Sequence, residues 1–172
     1  MFEKYSADNP VNKKRMTVAF AFSRVSHVIA SFFGSGLLRP GPGTWGTLAG
    51  WVVWVLLTPW ITPLMGWSIV ALTFVIGAWA SQQTSDDLGV PDHGSVVIDE
   101  VFAIWAVLLT VPATLEWQIA SFVAFRVFDI VKLPPASWCD RHLKNGWGIM
   151  IDDALAALYA VAVLALAQHY LV

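Results

Sequence analysis

Apolar residues run along this chain in long blocks separated by short polar ones. Five blocks stand out: Leu48 to Met65, Gly66 to Ala80, Val101 to Val111, Trp117 to Val131 and Ala154 to Val172. Each is too continuous for a half-exposed strand, and about 20 apolar residues cross a hydrocarbon core as a helix. The shorter blocks, 11 to 18 residues long, need thinned lipid, extension into their polar flanks, or a partly re-entrant path. Ahead of them, between Met16 and Phe33, the residues Val18, Phe22, Val25, Ile29 and Phe32 recur at helical intervals, while Ser23, Arg24, Ser26 and His27 fill other faces. That spacing predicts an amphipathic helix lying in the membrane interface, with a helix packed on a soluble core as the alternative. The fold expected is all-α: a polytopic membrane helical bundle of about 4–5 embedded helices behind an N-terminal interfacial helix. It forms a single domain over residues 1–172, with a polar tail at 1–15.

Composition agrees with the pattern. The chain is 57% hydrophobic and 13% charged, against about 45–50% and about 25% in soluble domains. Its polar start and the interruption at Arg24 argue against a cleaved signal peptide. Ten basic residues against twelve acidic ones leave a net charge of −2, so no basic field exists to hold nucleic acid. Cys139 is the lone cysteine, which excludes an internal disulfide and a cysteine-rich metal site. With alternating spans and a cytoplasmic N-terminus, every Lys and Arg but Arg126 falls on the inner side, and Arg126 lies inside the fourth block. The outer connections at Thr58 to Gly66 and Pro112 to Glu116 carry neither residue, which is the positive-inside signature.

The polar chemistry also faces one side. Of the acids, only Glu116 falls outside. Three blocks hold most of the rest: Asp86 to Glu100, Arg126 to Lys132 and Asp140 to Asp153. Each adjoins the inner end of an apolar helix, so a bundle gathers them at one depth. Asp99 and Glu100 stand about 100° apart on a helix and either flank a cavity or complement the helix dipole. Arg126 and Asp129 share a helical face inside an apolar block. Charges at that depth are costly and mark a functional site more often than a structural ion pair. Lys132 extends the same face or snorkels to the interface. One of Asp152 and Asp153 is expected to cap the last helix. The clustered carboxylates call for a hard divalent cation, and oxygen-only ligands favour Mg²⁺. His93 lies in the first polar block, between Asp92 and Gly94. The glycine-rich stretch Gly34 to Gly46, with Gly43 and Thr44, is either an anion-binding loop or a simple turn. Neither an Asp-x-Asp pair nor an Arg six residues after Cys139 is present.

In their order these blocks resemble the phosphatidylglycerophosphatase A family of bacterial inner-membrane enzymes. The resemblance rests on Phe33-Gly34-Ser35-Gly36, Pro42-Gly43-Thr44, the run Asp92 to Glu100, Phe125-Arg126-Val127-Phe128-Asp129-Ile130-Val131-Lys132 and Gly148-Ile149-Met150-Ile151-Asp152-Asp153. It covers residues 27 to 155, and departs from the family's usual Lys-Pro-x-Pro at Lys132-Leu133-Pro134-Pro135. The resemblance implies Mg²⁺-dependent hydrolysis of phosphatidylglycerophosphate to phosphatidylglycerol and inorganic phosphate, in bacterial phospholipid biosynthesis. The active site would face the cytoplasm. Asp99, Glu100, Asp129 and Asp153 are then the expected metal ligands. Arg126 and Lys132 would bind the phosphate, assisted by Gly43 and Thr44, and Asp152, Asp129 and His93 are the catalytic candidates. The expected partners are the lipid substrate and membrane lipids, with no obligatory protein partner. A small transporter or channel subunit, with Arg126, Asp129 and the inner acids as an ion path, is the competing reading. It is disfavoured because the outer halves of the blocks lack polar residues.

Overall fold

The computed structural model describes residues 15–171, so the polar tail apart from Arg15, and Val172, lie outside the described residues. Among those described there is no strand and there are eight α-helices. They are α1 (Val18–Ala21), α2 (Val25–Ala30), α3 (Pro42–Leu57), α4 (Pro63–Leu88), α5 (Ile98–Leu108), α6 (Leu115–Val131), α7 (Ala136–His142) and α8 (Gly146–Leu171).

The segment expected as one amphipathic helix over Met16 to Phe33 is two short helices. Polar side chains break it. Ser23 donates its hydroxyl to the Phe20 carbonyl at 2.7 Å, and His27 Nδ1 lies 3.0 Å from the same oxygen. Arg24 takes an extended conformation at the start of α2, and its Nη1 reaches Asp87 Oδ2 at 2.9 Å, as does His27 Nε2. The C-terminal end of α4 thus recruits residues from the polar face of the segment. Of the five apolar positions, Val18, Phe22 and Val25 are exposed, whereas Phe32 is buried.

Helix α5 is the axis of the bundle. Ten of its eleven residues are buried, and α3, α4, α6 and α8 pack around it. At 1.5 Å per residue it is about 16 Å long, too short to cross a bilayer unaided. It lies alongside α3, with Trp105 Nε1 donating to the Gly50 carbonyl at 2.7 Å and the Trp54 and Trp105 rings 5.5 Å apart. The close approach depends on Gly46, where an added Cβ would stand 2.5 Å from the Val97 Cβ. Val97 itself is fixed by its N–H, which donates to the Ala30 carbonyl at 2.8 Å.

Among the described residues two helices, α4 and α8, are long and apolar enough to cross a membrane. Beyond Glu116 in its first turn, helix α6 is apolar on the outside and charged within: Ile119, Val123, Val127 and Ile130 are exposed, while Ser121, Arg126 and Asp129 are buried. In water such a helix would be inside out.

Two starts differ from expectation. Helix α8 begins at Gly146, not at Ala154, because Asn145 caps it: its Oδ1 accepts from Gly148 N at 2.8 Å. The Gln82 side chain of α4 accepts from Gly146 N at 2.8 Å. Neither Asp152 nor Asp153 is therefore a helix cap; both lie well inside α8. Helix α3 begins at Pro42, where proline's fixed φ and missing N–H suit a first turn. Gly43 and Thr44 consequently belong to a helix instead of the expected loop.

Candidate metal and phosphate site

Four helix ends converge: the starts of α3 and α5, the last turns of α6 and the early turns of α8. Asp99 and Glu100, in the first turn of α5, meet Asp153 of α8, and one carboxylate oxygen from each lies within 4.8 Å of the others. All three residues are buried. Asp153 Oδ2 has no hydrogen-bond partner among the described residues. The charges of Asp129, Asp152 and Glu100 surround it, with Lys132 as the opposing one.

Arg126 enters from α6. Its Nη1 lies 2.6 Å from Asp129 Oδ2, one turn on, and 3.9 Å from Glu100 Oε1. It also donates to Thr47 Oγ1 of α3 at 3.5 Å. Gly43 leaves room here: a Cβ on it would fall on Glu100 Oε1 and stand 3.1 Å from Arg126 Nη1. Lys132 ends α6 in the left-handed region, at φ 47°, which directs its side chain away from the helix axis towards α7 and α8. There its ammonium donates to Asp140 Oδ1 at 2.8 Å and to Asp152 Oδ2.

The arithmetic of charge is lopsided. Five acids, Asp99, Glu100, Asp129, Asp152 and Asp153, are buried, and Arg126 and Lys132 are the cations that meet them. Buried charge without compensation is expensive. An all-oxygen donor set with surplus negative charge fits a hard divalent cation.

Comparison with known proteins decides the family. The family model for phosphatidylglycerophosphatase A matches residues 28–168. The chain belongs to the phosphatidylglycerophosphatase A family. Among similar proteins, the phosphatidylglycerophosphatase A of Haemophilus influenzae is 44% identical over 146 residues, covering 84% of this chain and 90% of that one. The Escherichia coli phosphatidylglycerophosphatase A is 40% identical over 147 residues, 84% of each. A Bacteroides thetaiotaomicron protein named as a putative phosphatidylinositol-3-phosphatase is 36% identical over 150 residues, 82% of this chain and 92% of that one. No solved structure matches the chain.

Within this family member, the expected site residues separate into groups. Asp99, Glu100 and Asp153, three of the four residues expected to hold a metal, lie together. Asp129, expected as a fourth, pairs with Arg126. Lys132, expected on the phosphate, bridges Asp140 and Asp152. Gly43 abuts the cluster, while Thr44, one residue on, is exposed. His93 is buried, and its Nδ1 accepts from Ser95 N at 3.1 Å in the loop before α5.

Sequence reasoning passed over Thr47 and Asp140. Thr47 had a readable signal: it stands four residues after Gly43, a polar residue on the face that Gly43, Gly50 and Trp54 bury. For Asp140 there was none, because its contact depends on where Lys132 turns.

Proposed function

We propose that the protein hydrolyses phosphatidylglycerophosphate to phosphatidylglycerol and inorganic phosphate, supplying phosphatidylglycerol for bacterial phospholipid biosynthesis. The reaction depends on Mg²⁺ held by Asp99, Glu100 and Asp153. Membership of the family makes the chain a lipid phosphatase. The observation that carries the finer reading is the trio of buried carboxylates from two helices, within 4.8 Å of one another, one of them with an oxygen left unbonded.

Bound there, Mg²⁺ would neutralise phosphate oxygens and orient or acidify a water for in-line attack. The chain's own groups do the rest. Arg126 presents a planar fork to the phosphate, suited to paired oxygens, and Asp129 holds that fork in place. Lys132 pins Asp152, which is then placed to take a proton from the attacking oxygen. His93 secures the loop that delivers Asp99 and Glu100. Gly43 leaves the room Glu100 needs.

A lipid headgroup reaches such a site from a membrane surface. Supporting that placement, the exposed positions on α6 other than Glu116 are apolar, as are Leu158, Val163 and Leu166 of α8 and Leu72, Val75 and Ile76 of α4. We place the bundle as a multi-pass protein in the bacterial inner membrane, site facing the cytoplasm, with Val18, Phe22, Val25 and Phe33 at the interface.

Phosphate release from purified protein in detergent tests the reading. With Mg²⁺, phosphatidylglycerophosphate is expected to turn over at least tenfold faster than phosphatidic acid or phosphatidylinositol 3-phosphate, and chelation abolishes turnover. Faster release from phosphatidylinositol 3-phosphate would move the substrate to the one named for the Bacteroides relative. Undiminished release after chelation would remove the metal.

A further inference from the structure

We propose that Asp140, on the short helix α7, is a positioning residue: it anchors the Lys132 ammonium against Asp152 and so sets the Asp152 carboxylate for proton transfer. The proposal rests on the role given to Asp152 above and brings α7 into the working site.

Lys132 closes α6 in the left-handed region, at φ 47°. Glycine or asparagine usually takes that place at a helix end, because a Cβ is strained there. A lysine held in such a conformation is fixed by what its side chain meets, and this one meets carboxylates on two further helices. Its ammonium donates to Asp140 Oδ1 of α7 at 2.8 Å and to Asp152 Oδ2 of α8. An ammonium is a point charge with rotatable donors on a flexible stem, so one carboxylate alone fixes its distance but not its direction. Two carboxylates on separate helices fix both.

The setting separates this arrangement from an ordinary surface salt bridge. The side chains of Lys132 and Asp140 are 18% and 24% exposed and that of Asp152 is 5% exposed, so water screens the charges little. Asp140 is itself held in place. Ala136, one turn before it, and Cys139, beside it, are buried, and α7 packs against α8. Its neighbour Arg141 is exposed, which leaves Asp140 as the acid through which α7 reaches Lys132. Asp140 meets Asp152 only by way of that ammonium, so its loss should slow the chemical step and spare lipid binding.

Phosphate-release kinetics on the full chain in detergent test this, with labelled phosphatidylglycerophosphate so that residual activity is measured. The variants are Asp140→Asn, Asp140→Glu, Asp152→Asn, Lys132→Met and the combination of Asp140→Asn with Lys132→Met. Asp140→Asn keeps the shape and loses the charge; its kcat is expected to fall about tenfold or more, as misplacing a catalytic group does, with KM for the lipid changed less than about twofold. Asp140→Glu keeps the charge-assisted bond at a partly open position and is expected to recover kcat to within about threefold of wild type. In the Lys132→Met background Asp140→Asn should have no further effect, because a residue that acts through Lys132 has nothing left to position. Wild-type kcat in Asp140→Asn overturns the proposal, and so does an equal fall in both backgrounds, which marks a structural or independent role. A rise in KM in place of the fall in kcat also overturns it, since Lys132 would then serve substrate binding. Full activity in Asp152→Asn would instead sink the role of Asp152 on which the proposal stands.

Discussion

Replacing Asp153 by Asn is expected to lower phosphate release about a thousandfold, near 4 kcal/mol of transition-state stabilisation, without unfolding the chain. Asn conserves shape and one oxygen but removes the charge and half the donor capacity of the residue that joins α8 to the α5 carboxylates. The more telling outcome concerns stability. Asp153 is buried beside the like charges of Asp129, Asp152 and Glu100, so in EDTA the substitution relieves repulsion. The melting temperature of Asp153→Asn in EDTA should exceed that of wild type, and added Mg²⁺ should raise wild type while leaving the variant unmoved. Site residues held for chemistry at the expense of stability behave this way. A variant less stable than wild type in EDTA would mean that Asp153 serves the fold, not a cation.

Arg126 should give the opposite pattern. Arg126→Leu removes a buried cation from among five buried acids, and stranding the partners of a buried ion pair costs about 3–5 kcal/mol. Melting in EDTA therefore falls, whereas Mg²⁺ affinity holds or rises, because the cation nearest Glu100 has gone. Turnover drops about a hundredfold or more from loss of the phosphate fork. Arg126→Lys restores the charge but cannot reach Asp129 and Thr47 together with a single ammonium, so it recovers stability more than activity. Thermal melts, Mg²⁺ titration and kinetics on the two variants separate these effects. Loss of Mg²⁺ binding in Arg126→Leu, with its fold intact, would contradict the assignment.

The polar chemistry was legible before the fold because charged residues in apolar surroundings have few places to go. Arg126 and Asp129, three residues apart in a block such as Trp117 to Val131, were expected to share an inward face, and both are buried; that they pair with each other was the less favoured reading. The convergence of Asp99, Glu100 and Asp153 followed from each adjoining the start of an apolar run. Where the expectation failed, single backbone angles or local side-chain bonds decided the outcome. Lys132 faces α7 and α8 because it ends α6 with φ at 47°, and periodicity carries no such information. Helix α8 starts earlier than its apolar run because Asn145 and Gln82 bind its first N–H groups. That moved Asp152 and Asp153 from a cap into the body of the helix. The segment expected as one amphipathic helix broke at Ser23 because its hydroxyl, His27 and Arg24 found partners on Phe20 and Asp87. Helical spacing of apolar residues alone does not reveal such competition. Helix α5 was recognised as apolar, but its enclosure by four others depends on Gly46 and Gly50 letting α3 approach, a tertiary property.

Everything in the mechanism depends on where a divalent ion sits. Mn²⁺ in place of Mg²⁺, located by anomalous scattering from crystals of the full chain, would settle the position directly. The expected result is an ion ligated by carboxylate oxygens of Asp99, Glu100 and Asp153, absent in Asp153→Asn, with Arg126 still on Asp129 and Thr47. An ion bound elsewhere, or the three carboxylates turned to separate partners with no ion between them, would contradict the account.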